Sequence, residues 1–370
     1  MKEISTGHFY GRLNNKISQL PINGLIELTY RCNLNCVHCY CKGSEDEDRE
    51  LDTQQWKKFF AEIYQEGCLW LCLSGGEPLL RDDFLELYAY AKRLGFIITI
   101  FTNGQALRGK ILEYLAKSPP YSIEITLNGI TQVTYEAITQ VRGSFSRILE
   151  NIKKIKRKNL SLILKSNFLK QNKLEIVRIK KFTEQLLGRP AKNKHHFRYD
   201  PMVFPRLNGD KTPTNLRLSF AEILELRKED PDIWQEYRRS LEADFPNLER
   251  DKKFLYHCSS WLTHFFINPY GRLESCGFSS KFSADLKTTT FEEGFYKVFP
   301  RILKEQFKTD SKCQDCHLRP ICYHCPARAF LETGDEEAPV SHYCELAEAT
   351  AKEMGKMSNC KVAYAQKTEF

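Results

Sequence analysis

The sequence has no apolar run approaching the roughly 20 residues that a bilayer span requires, so a membrane protein is not expected. Its opening segment, MKEISTGHFYGRLNN, holds no continuous apolar stretch of signal-peptide length, which points to a cytoplasmic protein. There is no internal repeat and no low-complexity tract. The chain also lacks a series of base-stacking aromatics beside its densest basic segment, Lys153 to Lys158, which continues an amphipathic helical pattern. The formal charge of +8 is therefore read as solvated helix faces, and nucleic acid is not expected as a partner. Cysteine is missing between Cys72 and Cys258, although the chain has 14 in all.

That gap is informative because of what flanks it. Three cysteines fall within Cys32 to Cys39, and seven fall between Cys258 and Cys344. In a reducing compartment such groupings suit metal ligands or catalytic thiols better than disulfides, and their separation suggests separate metal centres. With 370 residues and 42% hydrophobic content, the chain can bury one large core and still supply a smaller second unit.

From about residue 24 to residue 200, short β-rich runs alternate with helical periodicity. Strands are expected at Leu25 to Tyr30, Leu69 to Leu73, Ile97 to Phe101, Ser122 to Leu127, Ser161 to Ser166 and His196 to Tyr199. Helices are expected near Thr53 to Gln65, Phe84 to Leu94, Leu107 to Leu115, Phe145 to Lys156 and Leu174 to Leu187. This is an α/β pattern of six βα units, suited to a partial (β/α)6 TIM-like barrel with its ligand groups at the strand carboxyl ends. The expected division is an N-terminal extension (1–23), the partial barrel (24–200), a linker with bridging helices (201–254), a cysteine-rich unit (255–350) and a tail (351–370). The cysteine-rich unit, with its short segments and many turns, is expected to rely on metal as much as on an apolar core.

Cys32, Cys36 and Cys39 form CxxxCxxC in the loop that leaves the first strand. Three thiolates can hold three irons of a 4Fe-4S cluster and leave one iron open; a zinc site with a distant fourth ligand is the alternative. The second strand ends in Ser74 Gly75 Gly76 Glu77 Pro78, where two glycines allow close backbone approach to a ligand and Glu77 can accept hydrogen bonds from an ammonium group.

Together, CxxxCxxC and the GGEP strand end resemble the radical S-adenosylmethionine (SAM) superfamily. The resemblance implies a 4Fe-4S cluster on Cys32, Cys36 and Cys39 whose open iron is chelated by SAM. Reductive cleavage would yield a 5'-deoxyadenosyl radical that abstracts hydrogen from substrate. It further implies cofactor contacts from Gly75, Gly76, Glu77 and Pro78 near the methionyl ammonium and from His38 near adenine. Thr102 and Asn103 at the third strand end, Thr126 and Asn128 at the fourth, and Lys165 at the fifth are further expected contacts. Cys41 reads as an incidental or neighbouring thiol, and Cys68 and Cys72 as buried core thiols.

The second array runs from Cys258 through Gly271 and Cys276 to Cys313, Cys316, Cys322, Cys325 and Cys344. Paired CxxC spacings suit zinc ribbons. The whole layout, with Ile267 to Gly271 and Cys325 to Ala329, instead resembles the SPASM domain, which commonly holds two auxiliary iron-sulfur clusters. By that resemblance Cys313, Cys316, Cys322 and Cys344 hold one 4Fe-4S cluster, and Cys258, Cys276 and Cys325 hold the other. Cys322 and Cys325 are one residue closer than the usual CxxxC. Seven cysteines stand where eight would saturate two clusters, and Cys360 matches no family position. The second cluster is thus expected to have an open site, water, His257 or a substrate thiolate as fourth ligand.

The layout implies modification of a peptide or protein, by thioether or carbon-carbon crosslinking, epimerisation or oxidation, as in ribosomal peptide maturation. The short N-terminus leaves no room for a leader-binding domain, so a separate leader-binding protein is an expected partner, together with an external one-electron donor. Asp200, after the sixth strand, is a candidate proton acceptor or a salt-bridge partner of Arg198. The alternatives are a small-molecule enzyme such as a tetrapyrrole side-chain decarboxylase, and a non-catalytic iron-sulfur electron-transfer protein.

Overall fold

In the computed structural model, residues 19–188, 196–244 and 252–355 are described. Cys360 and most of the expected N-terminal extension and tail lie outside them. Six parallel strands, β1 (Asn23–Glu27), β2 (Trp70–Ser74), β3 (Ile97–Thr102), β4 (Ser122–Thr126), β5 (Leu162–Asn167) and β6 (Phe197–Asp200), run in sequential order. This is the order that successive βα units produce. Alternation along each strand sends Ile26, Leu71, Leu73, Ile98, Ile100, Ile123, Ile125 and Leu164 into a fully buried layer beneath the helices. The opposite face carries Glu27, Cys72, Thr99, Phe101, Glu124 and Lys165 into the barrel interior.

The covering helices are α1 (Thr53–Gln65), α2 (Phe84–Arg93), α3 (Gly109–Lys117), α4 (Gln132–Thr139), α5 (Ser144–Arg157) and α6 (Ile176–Leu187). Helix α1 starts where it does because the Asp52 carboxylate accepts from the Gln54 and Gln55 N–H groups, both at 2.8 Å, while Gln55 answers the Asp52 N–H. Its i, i+3, i+4 face then buries Trp56, Phe59, Phe60 and Ile63. Helix α4 is not anticipated from periodicity, being short. Glu175 holds its start, accepting from the Ile130 N–H (2.7 Å) and from the Thr131 and Thr134 hydroxyls (2.6 and 2.7 Å).

Helices α7 (Phe220–Lys228) and α8 (Pro231–Asp244) bridge onward, as the sequence suggests. The cysteine-rich unit then departs from expectation. Its strand β7 (His264–Ile267) pairs in parallel with β1, and β8 (Arg272–Glu274) and β9 (Ser283–Asp285) continue antiparallel, giving one nine-stranded sheet. The same apolar cluster takes in Ile26 and Leu71 of the barrel and Phe265, Leu273, Phe291, Phe295 and Phe299 of this unit. Phe265, Phe291, Phe295 and Phe299 pack ring to ring with centroids 4.8 to 5.7 Å apart. This aromatic packing is not revealed by the CxxC spacing. Two further helices, α9 (Pro326–Thr333) and α10 (Ser341–Met354), follow. No helix among the described residues is long and apolar enough to cross a membrane.

A shared core predicts shared unfolding. Phe295→Ala removes a fully buried ring, at a cost of about 3–5 kcal/mol. Amide exchange is expected to accelerate in β1 and β2 as well as in β7; acceleration confined to residues 255–310 would mean that the two parts have separate cores.

Candidate active site

The cysteine loop leaves β1 and is fastened before its first thiol. The Glu50 carboxylate accepts from the Thr29 hydroxyl (2.6 Å) and the Tyr30 N–H (3.1 Å), and lies 3.7 Å from both Arg31 and Arg81. Arg81 donates to the Leu28 carbonyl (3.1 Å) and is itself held by Asp83 through two bonds of 2.8 Å. Glu50, Arg81 and Asp83 were not singled out from the sequence. Their only signal is charge placed just after a strand-end motif.

The glycine turn meets the same loop. The Gly76 N–H donates to the Thr29 carbonyl at 2.7 Å and the Glu77 N–H to the Arg31 carbonyl at 2.8 Å. Gly75 adopts φ +143°, and a Cβ there would collide with the Thr29 oxygen; one on Gly76 would collide with the Tyr30 and Arg31 oxygens. The glycines thus admit the main chain of the cysteine loop. Their carbonyls accept no hydrogen bond from any described residue and stay available to a donor.

Glu77 follows the two glycines. It is fully buried, and its carboxylate accepts from the Thr102 hydroxyl (2.7 Å), the Asn103 N–H (2.7 Å) and the Leu79 N–H (3.1 Å). Burial pushes its carboxyl up to about 7 against those three donors. Glu77 and Thr102 therefore organise the strand ends, with Pro78 opening the short helical turn behind them. Asn103 reaches the loop itself, its Nδ2 lying 2.8 Å from Asn33 Oδ1 and 3.5 Å from Cys32 Sγ.

Farther along the loop, the Asn35 and Val37 N–H groups donate to the Thr139 and Ile138 carbonyls at the end of α4 (2.9 and 3.0 Å). The helix missed from periodicity therefore also holds the cysteines. Half-buried His38 sits 3.2 Å from Asn128 Nδ2, and burial lowers its pKa to about 4, so it is neutral. Asn128 ties the loop to β5 by accepting from the Asn167 N–H (2.8 Å). Thr126 lies opposite Lys165 in the β4–β5 register. Lys165 is drawn to Glu124 (3.3 Å) and lies over the Phe101 ring, with its pKa lowered by burial. Arg198 also takes Glu124 (3.6 Å), so the expected Arg198–Asp200 pair does not form. Asp200 instead accepts from the Met202 N–H (2.9 Å). Below this charged layer is a cavity of about 630 Å³ lined by Trp70, Cys72, Thr99 and Ser122 among others; Cys72 therefore faces the interior. Cys68 is buried, and Cys41 lies 3.5 Å from Cys39.

Cys32, Cys36 and Cys39 lie close enough for their charges to interact. Burial and then those neighbours push Cys36 up, and burial leads the rise of Cys32 to about 11. Cys276 is pushed up to about 12 by burial and by Cys325 and Cys258, while Cys322 is pushed up to about 12 by burial and by Cys344, Cys316 and Cys313. Among the described residues no three such side chains converge on a single ion. Exposed and half-buried thiols gathered in sets, none of which converges on a single ion, are a donor set that fits multi-iron clusters. One of the two C-terminal sets meets the loop: Tyr40, beside Cys39, packs on Phe278, two residues after Cys276, with centroids 5.8 Å apart.

A thiol-bearing loop on the first strand of a partial parallel barrel, closed by a glycine turn from the second, defines a barrel enzyme that works at the strand carboxyl ends. The model of the radical SAM superfamily matches residues 26–182, so the chain carries a radical SAM domain and is a radical SAM enzyme, with a cysteine-rich unit towards its C-terminus. It is 27% identical over 342 residues to the AdoMet-dependent heme synthase of Methanosarcina barkeri, covering 86% of this chain and 94% of that one. It is 36% identical over 135 residues to the mycofactocin maturase MftC of Mycolicibacterium smegmatis, covering 36% of this chain but only 34% of the maturase. The fold is shared with Streptococcus suis SuiB bound to its precursor peptide SuiA, at a TM-score of 0.67 and 18% identity, covering 90% of this chain and 77% of that one.

The close main-chain approach makes Gly76 a sensitive position. Gly76→Ala forces a methyl against two carbonyls, an overpacking cost of about 1–3 kcal/mol. Iron bound after reconstitution is expected to escape to a chelator faster than from wild type, with far-UV circular dichroism unchanged. Identical release kinetics would show that the turn does not hold the loop.

Proposed function

We propose that the enzyme abstracts hydrogen from a peptide held where the barrel mouth meets the C-terminal unit, as a step in peptide maturation by crosslinking, epimerisation or oxidation. The observation that carries this reading is the Tyr40–Phe278 contact, which brings the loop of Cys32, Cys36 and Cys39 beside the set of Cys258, Cys276 and Cys325. A 4Fe-4S cluster on the first three cysteines with SAM supplies, when bound, a reductively generated 5'-deoxyadenosyl radical. The residues of this chain bind and shield. The free Gly75 and Gly76 carbonyls are available to an ammonium group, and His38 and Asn103 flank the loop. The fully buried Glu77 keeps the strand ends in register without competing for a ligand.

Auxiliary clusters on Cys313, Cys316, Cys322 and Cys344 and on Cys258, Cys276 and Cys325 belong to the same proposal. So do an external one-electron donor, a separate leader-binding protein and the barrel and SPASM boundaries at 24–200 and 255–350. The 13 described cysteines are all unpaired, which supports a reducing, cytoplasmic setting. Maturases and a precursor-peptide complex among the similar proteins favour a peptide. A second reading has its own support: the heme synthase matches along 94% of its length, which favours a carboxylated tetrapyrrole.

Reconstituted, reduced enzyme incubated with SAM and either peptides encoded beside its gene or carboxylated porphyrins separates the two. A mass change in a peptide, formed together with 5'-deoxyadenosine, is expected, and Cys36→Ala should abolish both products. Conversion of a porphyrin with no peptide altered would replace the first reading by the second.

A further inference from the structure

Arg328 is a half-buried cation with no ion-pair or hydrogen-bond partner among the described residues; its guanidinium lies over the Phe204 ring, 4.7 Å from Cζ, and its charge is felt at Cys276, Tyr343 and Asp200. A guanidinium drawn partly out of water is ordinarily paired. Its natural partner would be Glu332, one turn later on α9. That carboxylate is taken: Arg217 binds it as a fork, through Nη1 (2.9 Å) and Nη2, and the Tyr343 hydroxyl donates to it at 3.0 Å. Arg217 also donates to the Val203 carbonyl (2.8 Å from Nε), so the same residue that occupies Glu332 fixes the chain next to Phe204. From the other side, the Leu207 N–H donates to the Tyr40 carbonyl at 2.8 Å. Phe204 in turn packs on Phe278 at 4.6 Å. The guanidinium is thus seated on a ring that is held from two directions, next to the Tyr40–Phe278 contact. Asp200 senses the charges of Arg328 and Lys165, yet neither forms an ion pair with it.

We propose that Arg328 is a specificity-determining residue that receives a carboxylate of the substrate at the barrel mouth, seated on Phe204 and kept unpaired by the Arg217–Glu332 fork. The planar fork of donors suits a carboxylate in bidentate contact, and the aromatic seat stabilises the cation while nothing is bound. The proposal rests on the reading that substrate enters between the barrel and the C-terminal unit. Two sources present this chemistry: an acidic side chain or C-terminus of a peptide, and the carboxylates of a tetrapyrrole.

The test measures binding to the anaerobic full-length holoenzyme by fluorescence anisotropy or quenching. One pair of probes is a fluorescent glutamate-containing peptide and its glutamine counterpart; the other is a tetracarboxylate porphyrin and its methyl ester. Wild type is expected to prefer the acid over the neutral form in at least one pair. Arg328→Gln should weaken the acid form about tenfold or more and leave the neutral form unmoved, while Arg328→Lys should fall between. Should Arg328→Gln fail to fold, the fall in acid-over-neutral preference on Arg328→Lys carries the test. Asp200→Asn is expected to leave acid binding unchanged or tighter, since it removes a like charge.

Equal binding of acid and neutral forms by wild type, or no binding of any acid probe, overturns the proposal. So does an unchanged Arg328→Gln, and so does an Asp200→Asn variant that weakens binding as Arg328→Gln does, which would make the arginine a latch on Asp200. Arginine-dependent binding of the porphyrin alone upholds the inference and rejects the peptide. Modification of a peptide by an indifferent Arg328→Gln upholds the peptide and rejects the inference.

Discussion

The site depends on the approach of two stretches of main chain closer than any side chain would permit. Where the Gly76 and Glu77 N–H groups meet the Thr29 and Arg31 carbonyls, the loop that carries the cysteines becomes in effect an extra rung between β1 and β2. Such bonds are individually modest, but here they are surrounded by buried partners, and leaving one unmade would expose polar groups with no water to satisfy them. The rest follows from that closeness. Glu50 and Arg81 complete the loop's first residues from outside, and Glu77 collects donors from the next strand end. The carbonyls at the end of α4 receive the loop's far side. A flexible sequence of thirteen residues between Leu28 and Tyr40 is thereby held along its length, which is what preorganisation of a ligand set requires.

Much of this architecture was legible in the residues. The six strands fall within two residues of their expected starts and three of their expected ends, because alternation with one buried face leaves little freedom of register. Helix α1 matches its expected bounds, since Asp52 and Gln55 supply a capping signal and an apolar face follows at once. Helix α4 was invisible because eight residues are too few for periodicity to speak, and its start is held by Glu175 from more than forty residues away. The joining of β7 to β1 was equally hidden. A four-residue strand carries no mark of which edge it will extend, and the requirement for Gly24 opposite the Phe265 ring emerges only once the two are adjacent.

Roles within the site were harder to read than positions. Glu77 and Thr102, expected as cofactor contacts, hydrogen-bond to each other at the strand ends. Lys165 lies 3.3 Å from Glu124 and over the Phe101 ring. In each case the sequence identifies a polar residue at a strand end, while neighbouring strands decide whether its atoms remain free. The converse holds for Arg328. Nothing local marks it as unpaired, because Glu332 stands one turn away, and only the intrusion of Arg217 from another segment leaves it without a carboxylate.

The distribution of charge around the cysteine loop gives a final physical argument for what the site is shaped to receive. Glu27, at the end of β1, is fully buried and accepts from the Tyr40 hydroxyl; Glu77 is fully buried beside Asn103; Glu274, on β8, is buried near Glu27. Burial pushes their carboxyls up to about 7, 7 and 8, and Cys32 and Cys36 are pushed up as well. Potential anions therefore gather near the cysteine loop; Arg272 lies 3.9 Å from Glu274, while Arg81 is tied to Asp83 and Glu50. In a low-dielectric setting such groups either take up protons or are matched by a positive charge from outside the chain. An iron cluster would take the thiols of Cys32, Cys36 and Cys39 in deprotonated form, and a ligand with a sulfonium and an ammonium group would bring the cationic charge that offsets them.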